Sequence, residues 1–386
     1  MKYYINEIKK GNIAVDDTLL ISGTPATAGS KMLENFTPLF TADVVERAEK
    51  AGYTVSGKAN VGEFGLDLLG ETSYFGDVTE DGTLRGAAAE LVRKGEITAA
   101  INVDINGAPR RAAAVSGVAF VKPTYGTVSR YGVISAVASG ETVGVTAKSV
   151  KTAAELLSAI AGHDDKDGTS LPEVKYEYKT DLDVKGMKVA VVKELADAET
   201  LDFAETLKAK GAEVEEISLD FVGVAQTAWQ ILMAAETTNN LSRFDGVKYG
   251  YRTAEYKNID ELYVKSRTEA FGFLTKATIL YGSDVLAKGK YEACYDKSLR
   301  LRRVVVEKMT ELFAKYDAVL TAVISDKNLK PYDAKDAFKK VYDESRYTAI
   351  PSVTGLPAVV SGGVQIIGDY FAESKIMSLA AVKEEA

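Results

Sequence analysis

The sequence has almost none of the residues on which many catalytic and structural centres are built. Its one cysteine, Cys294, excludes an intramolecular disulfide and a zinc site made of thiolates. Such sparing use of thiols fits a reducing compartment, and a cytoplasmic location is expected. Its one histidine, His163, leaves little material for a histidine triad or a histidine metal site. That residue falls just past a predicted helix end, where a lone polar side chain ordinarily sits on the surface or caps the helix. No uncharged apolar run nears the ~20 residues that span a bilayer. The opening Met-Lys-Tyr-Tyr-Ile-Asn-Glu lacks the apolar core of a signal peptide. No membrane association is therefore expected. Basic charge is in deficit as well. The 47 Lys and Arg against 55 Asp and Glu give a net charge of −8, which argues against strong direct nucleic-acid binding. There is no internal repeat and no low-complexity tract, and no cofactor or metal is expected.

What remains is ordinary globular composition, with 46% apolar and 26% charged residues. On length alone 386 residues admit two domains, but large α/β folds of this size occur as one unit. Segment 13–21 reads as a strand interrupted by Asp16 and Asp17. Segment 41–51 reads as a helix capped by Thr41, with Val44, Val45 and Ala48 on one face and Gly52 ending it. A strand at 53–58, a helix at 86–94 and a buried strand at 97–103 follow. A tight turn comes next at Asn106-Gly107, then a short helix at 111–115 and a strand at 117–121. Strand, glycine turn and helix start is an arrangement in which backbone N–H groups can face an anionic or reacting group. Further on, a helix spans 149–162, begun by Ser149 or by a Thr152/Glu155 capping box. Segments 187–193, 196–211 and 214–217 form a β-α-β unit. Helices are expected at 222–240, carrying Trp229, and at 290–315, and a strand at 318–322. The alternation predicts an α/β fold with a mixed, largely parallel central sheet sandwiched by helices.

Several runs carry a resemblance. They are Gly57-Lys-Ala-Asn-Val-Gly-Glu-Phe64, Lys122-Pro-Thr-Tyr-Gly126, Ser129-Arg-Tyr-Gly132, Arg243-Phe-Asp-Gly-Val-Lys-Tyr-Gly-Tyr-Arg252 and Gly363-Val-Gln-Ile-Ile-Gly368. In this order they resemble the amidase signature family, and within it the A subunits of tRNA-dependent amidotransferases, over about 15–370. The resemblance implies the amidase-signature fold as a single domain over 1–386, with N-terminal helices truncated and C-terminal loops shortened. It also implies a partner similar to a B or C subunit, and a small carboxylate or amide ligand such as glutamine.

The family's chemistry uses a neutral lysine as base, a bridging serine and a serine nucleophile. The matching positions here are Asp16, Leu84 and Ala108. A methyl group cannot attack a carbonyl, and each proton-transfer step needs a heteroatom. The resemblance places Asp17, Asp104, Asn106, Gly107 and Arg110 in the same pocket. It assigns ligand binding to Tyr249, Tyr251 and Arg302, while the amide-binding acid falls near Ser345, with Glu344 beside it. Asp16 and Asp104 are expected to approach each other with Arg110 or Arg111 between them, because two unscreened buried carboxylates repel. Three functional readings follow. One is a catalytically silent relative that binds or scaffolds. Another is an enzyme with altered chemistry at Asp16, Asp104 and Arg110, or one component of a complex that keeps residual glutamine amidotransferase or amidohydrolase activity. The third is a product of gene decay, against which the continuous apolar patterning and intact caps argue.

Overall fold

The computed structural model describes residues 2–385; Met1 and Ala386, the ends of the expected 1–386 domain, lie outside the described residues. The strands are β1 (Tyr4–Glu7), β2 (Ile13–Asp16), β3 (Val55–Ala59), β4 (Val78–Glu80), β5 (Thr83–Arg85), β6 (Ala99–Asp104) and β7 (Ala119–Lys122). They continue with β8 (Thr142–Ala147), β9 (Lys188–Val192), β10 (Glu213–Ile217), β11 (Ala318–Ala322), β12 (Ala358–Ser361) and β13 (Val364–Gly368). The helices are α1 (Asp43–Lys50), α2 (Ala87–Arg93), α3 (Ala108–Ser116), α4 (Val150–Ile160), α5 (Ala198–Ala209) and α6 (Val222–Leu241). After them come α7 (Ile259–Ala270), α8 (Phe273–Val285), α9 (Lys297–Phe313), α10 (Ala337–Glu344), α11 (Ala349–Thr354) and α12 (Glu373–Glu385).

Eleven strands form one sheet in the order β1-β3-β2-β6-β8-β7-β12-β13-β11-β9-β10, and β4 with β5 makes a separate hairpin. All residues of β6, β7, β8 and β12 are buried. Strands buried on both faces must be covered by helices on both faces. Here α2, α3 and α4 pack on the central strands, α12 on β12 and β13, and α5 on β9 to β11. The sheet is mixed. Its parallel pairs are β2–β3, β2–β6, β9–β10 and β9–β11, and its other six pairs are antiparallel. Antiparallel pairing thus has a larger share than strand–helix alternation suggests: β7 leads to its neighbour β8, and β12 to its neighbour β13, with no helix between them, and parallel pairing would need a crossover.

Local signals set most boundaries. Ser149 caps α4 by accepting the N–H of Thr152 at 3.2 Å, which settles the start of that helix. Thr41 does not cap α1, whose N-cap is Ala42. Its Oγ1 accepts the N–H of Ser22 at 3.1 Å instead. The helix expected at 111–115 is longer and begins at Ala108, because Gly107 turns the chain at φ 91° and Pro109 presets φ in the first turn. The helix expected at 290–315 is broken, with a π-turn over Glu292–Asp296 ahead of α9. Trp229 on α6 is fully buried, and Gly140 lies so close that a Cβ there would come within 2.2 Å of its ring.

Candidate active site

Where β2 and β6 run side by side, their C-terminal ends meet the starts of α2 and α3. These four ends enclose a cavity of about 50 Å³ walled by Asp16, Asn60, Asp67, Gly86 to Ala89, Asn102, Ala108 and Thr146, among others. Ligand pockets ordinarily measure about 300–1,000 Å³. This one has room for a few water molecules. The fold therefore brings Asp16 and Ala108 together, as the motifs imply. Leu84 is not in the wall. It is the middle residue of β5, pairs with Thr79 of β4, donates its N–H to the Leu329 carbonyl at 2.7 Å and packs into the core. The loop's contribution to the cavity is Gly86 and the first turn of α2.

Asp16 is the main polar group of the cavity. One carboxylate oxygen accepts from Asn102 Nδ2 at 2.7 Å and the other from the Val103 N–H at 2.8 Å. Burial nevertheless dominates and pushes its carboxyl up to about 7. Asp67 shares the wall and is pushed up to about 8, first by burial and then by the neighbouring Glu71. Thr146 carries the one aliphatic hydroxyl in the wall, and it donates to Asn102 Oδ1 at 2.7 Å. This arrangement can exchange a proton near neutral pH. It offers no serine, cysteine or lysine for a covalent intermediate.

Asp17 faces another direction. Its Oδ1 lies 3.2 Å from Lys58 Nζ, with both side chains fully buried, and its Oδ2 accepts from the backbone and hydroxyl of Thr27. Burial lowers the pKa of Lys58, opposed by Asp17 and Asp16.

The expected arginine between Asp16 and Asp104 is not there. Asp104 is ion-paired with Arg110, Nε to Oδ2 at 2.6 Å and Nη2 to Oδ1 at 3.2 Å, and its Oδ1 also accepts the Gly107 N–H at 2.9 Å. Arg110 donates further to the Thr348 carbonyl, Gln365 Oε1 and Ser352 Oγ. Arg111 donates to the carbonyls of Asn106 and Glu344 and to Thr348 Oγ1. Burial lowers its pKa to about 10. Asn106 Oδ1 accepts from Trp229 Nε1 at 2.9 Å. Asp17, Asp104, Asn106, Gly107 and Arg110, expected in the pocket, therefore do not line the cavity. They are the buried frame behind it. The cation that acts on Asp16 is Lys58.

The expected ligand-binding residues also part company. Tyr249 and Tyr251 line a much larger cavity of about 720 Å³, together with Met32, Phe36, Phe244 and Arg252. Arg302 lies elsewhere, donating to the hydroxyl and carbonyl of Ser139. Ser345 is buried and donates to the Tyr342 carbonyl at 2.7 Å, so it cannot present its hydroxyl to a ligand in that cavity. His163 bonds Asp165 and the Leu171 carbonyl near the surface. Among the described residues no group of three or more His, Cys, Asp or Glu is placed to hold a metal ion. Lys58 and Asp67 were missed as site residues. A lone charge inside the strand-forming run Val55-Ser-Gly-Lys-Ala59 is the available signal for Lys58; for Asp67 there is none.

The sequence model of the family described as Amidase matches residues 12–377. The chain belongs to the amidase family. Among curated proteins it is similar to the A subunit of the glutamyl-tRNA(Gln) amidotransferase of Lachnospira eligens, 39% identical over 400 aligned positions that cover 97% of this chain and 83% of the relative. The A subunit of the Latilactobacillus sakei glutamyl-tRNA(Gln) amidotransferase is 36% identical, with 97% and 82% covered. The crystal structure of the corresponding A subunit of Thermotoga maritima superposes with a TM-score of 0.80 at 28% identity, covering all of this chain and 87% of that one. A bacterial aryl acylamidase of the amidase signature family shares the fold, at a TM-score of 0.81 and 19% identity, with 97% of this chain and 82% of that one covered. No described helix is long and apolar enough to cross a membrane.

Proposed function

We propose that this amidase-family chain is a catalytically silent relative of the amidotransferase A subunits, acting in the cytoplasm as a single-domain binding or scaffolding protein. The observation that carries this reading is Ala108. It occupies the first position of α3, at the turn the family uses for its nucleophile, and it faces a cavity of about 50 Å³. Removing one member of a cooperative triad already eliminates most catalysis. Here Asp16 holds the base position, and Leu84 is embedded in a hairpin outside the cavity. A partner similar to a B or C subunit is supported by apolar exposure on α7 and α8, where Ile259, Val264, Phe273 and Leu280 all face solvent. A small carboxylate or amide ligand at the cavity of Tyr249 and Tyr251 is supported by Arg243, Lys248 and Arg252 in its wall.

One observation favours a second reading, acid–base chemistry of a different kind. Burial pushes the Asp16 carboxyl up to about 7 inside a small cavity, the range that general acids and bases use. Asp104 and Arg110 take no part in it, because they are spent on each other and on Gln365 and Ser352.

The test is ammonia release from glutamine by the purified protein. The unmodified chain and Ala108→Ser are expected to be silent, since an unassisted serine hydroxyl is a weak nucleophile near neutral pH. The triple variant Asp16→Lys, Leu84→Ser, Ala108→Ser is expected to be feeble at most, because residue 84 does not reach the cavity. Turnover by the unmodified protein that survives repurification and disappears in Asp16→Ala would replace the first reading with the second.

A further inference from the structure

A second cleft lies between the segment 171–178 and the turn that leads into α12. Its volume is about 530 Å³, and it shares no wall residue with the cavity at Ala108. Two features distinguish it. The first is a set of three parallel rings. Tyr176 and Phe371 are parallel within 1° with centroids 6.5 Å apart, and Tyr176 and Tyr178 are parallel within 8° at 6.4 Å. Residues two apart on an extended segment point to the same side, so Tyr176 and Tyr178 present their rings together. Phe371 is 59% exposed although its backbone is held at φ 64°. That conformation is an outlier for a bulky residue, and it places an apolar ring in water. The second feature is charge. Glu173, Glu177 and Glu373 line the cleft; among the described residues no lysine, arginine or histidine does, and Lys175 pairs with Glu177 from the rim at 2.7 Å. After burial, Glu173 and Glu373 are the groups that raise the pKa of the Tyr176 hydroxyl, so their negative potential acts on the ring set directly.

Parallel aromatic faces beside carboxylates select a flat cation. An ammonium is compact and strongly hydrated. A guanidinium is planar, stacks on rings and presents N–H donors at its edge in the spacing that carboxylates accept. We infer that this cleft is a binding site for a guanidinium group, stacked on Tyr176 and Phe371 and paired at its edge with Glu177 and Glu173. Two sources supply that chemistry, a free alkylguanidine and an arginine side chain presented by a protein.

The test is titration calorimetry with N-acetyl-arginine methylamide and its uncharged isostere N-acetyl-citrulline methylamide. The arginine probe is expected to bind and the citrulline probe to bind roughly tenfold more weakly or not at all. Phe371→Ala and Tyr176→Leu should each weaken the arginine probe by roughly 3- to 30-fold, the range of a cation–ring contact. Glu177→Gln alters a side chain that is 71% exposed and bonded only on the rim to Lys175, so it leaves folding intact while removing a charge. It should weaken the arginine probe and leave the citrulline probe unchanged. Butylguanidine and the peptide Gly-Gly-Arg-Gly-Gly separate the sources. Tighter peptide binding assigns the site to an arginine on a partner, and equal binding assigns it to a free guanidine. Equal affinity for arginine and citrulline probes, or wild-type affinity in both ring variants, would overturn the inference.

Discussion

Replacing Arg110 with methionine should destabilise this protein more than almost any other single change near the cavity. The guanidinium is fully buried and makes five hydrogen bonds, two to Asp104 and one each to the Thr348 carbonyl, Gln365 and Ser352. Methionine keeps the apolar stem and removes every one of them. Asp104, also fully buried, is left as a charge with the Gly107 N–H as its remaining donor. Gln365 suffers less, because its amide still donates to Thr321 and to the Tyr347 carbonyl. Breaking a buried ion pair from one side costs about 3–5 kcal/mol. That is a large part of the ~5–15 kcal/mol by which native proteins are stable. Urea unfolding followed by the fluorescence of the single tryptophan, Trp229, reads this locally, since its indole bonds Asn106 two residues beyond Asp104. The midpoint should fall with little change in slope. Asp104→Asn added to Arg110→Met removes the orphaned charge and should recover part of the loss. Arg110→Lys should not rescue, because an ammonium cannot make the forked contacts. A loss below about 1 kcal/mol in Arg110→Met, or a double variant no more stable than the single one, would refute the argument that the pair is a buried structural frame.

Asp16→Asn should alter the pH dependence of stability. A carboxyl raised to about 7 on folding binds more protons in the native state than unfolded, so it subtracts stability as pH rises from about 4 to 7 and levels off above. Relative to the parent, the asparagine variant should therefore gain at pH 8 compared with pH 5, on the order of a few kcal/mol, measured by denaturant titration at both values; an unchanged difference would refute the shift. Gly107→Ala should be strongly destabilising, since φ is 91° and a Cβ would lie 2.4 Å from the Thr348 methyl. Adding Thr348→Ser should relieve only the contact with that methyl, and full recovery of the thermal midpoint would show that backbone strain is unimportant there.

The family, the alternation of strands and helices, and the alanine at position 108 are all legible in the bare sequence, because each is a local property. β11 is an apolar run with its boundaries visible, α4 has its cap three residues before a matching N–H, and Ala108 is an alanine whatever surrounds it. Which side chains share the cavity is a different kind of fact, set by contacts between remote segments. The motifs lead one to expect Leu84 at the family's bridging serine, yet the pairing of β4 with β5 sends it into the core, because a strand's side chains alternate between faces and register chooses the face. The repulsion expected between Asp16 and Asp104 suggests Arg110 or Arg111 as the cation between them. The partners of Arg110 instead include Thr348, Ser352 and Gln365, which lie 238, 242 and 255 residues away in sequence. A guanidinium excluded from water bonds every acceptor that the folded core brings within reach. Which acceptors those are depends on β12, β13 and α11 closing over α3, a contact between distant parts of the chain that no local pattern encodes.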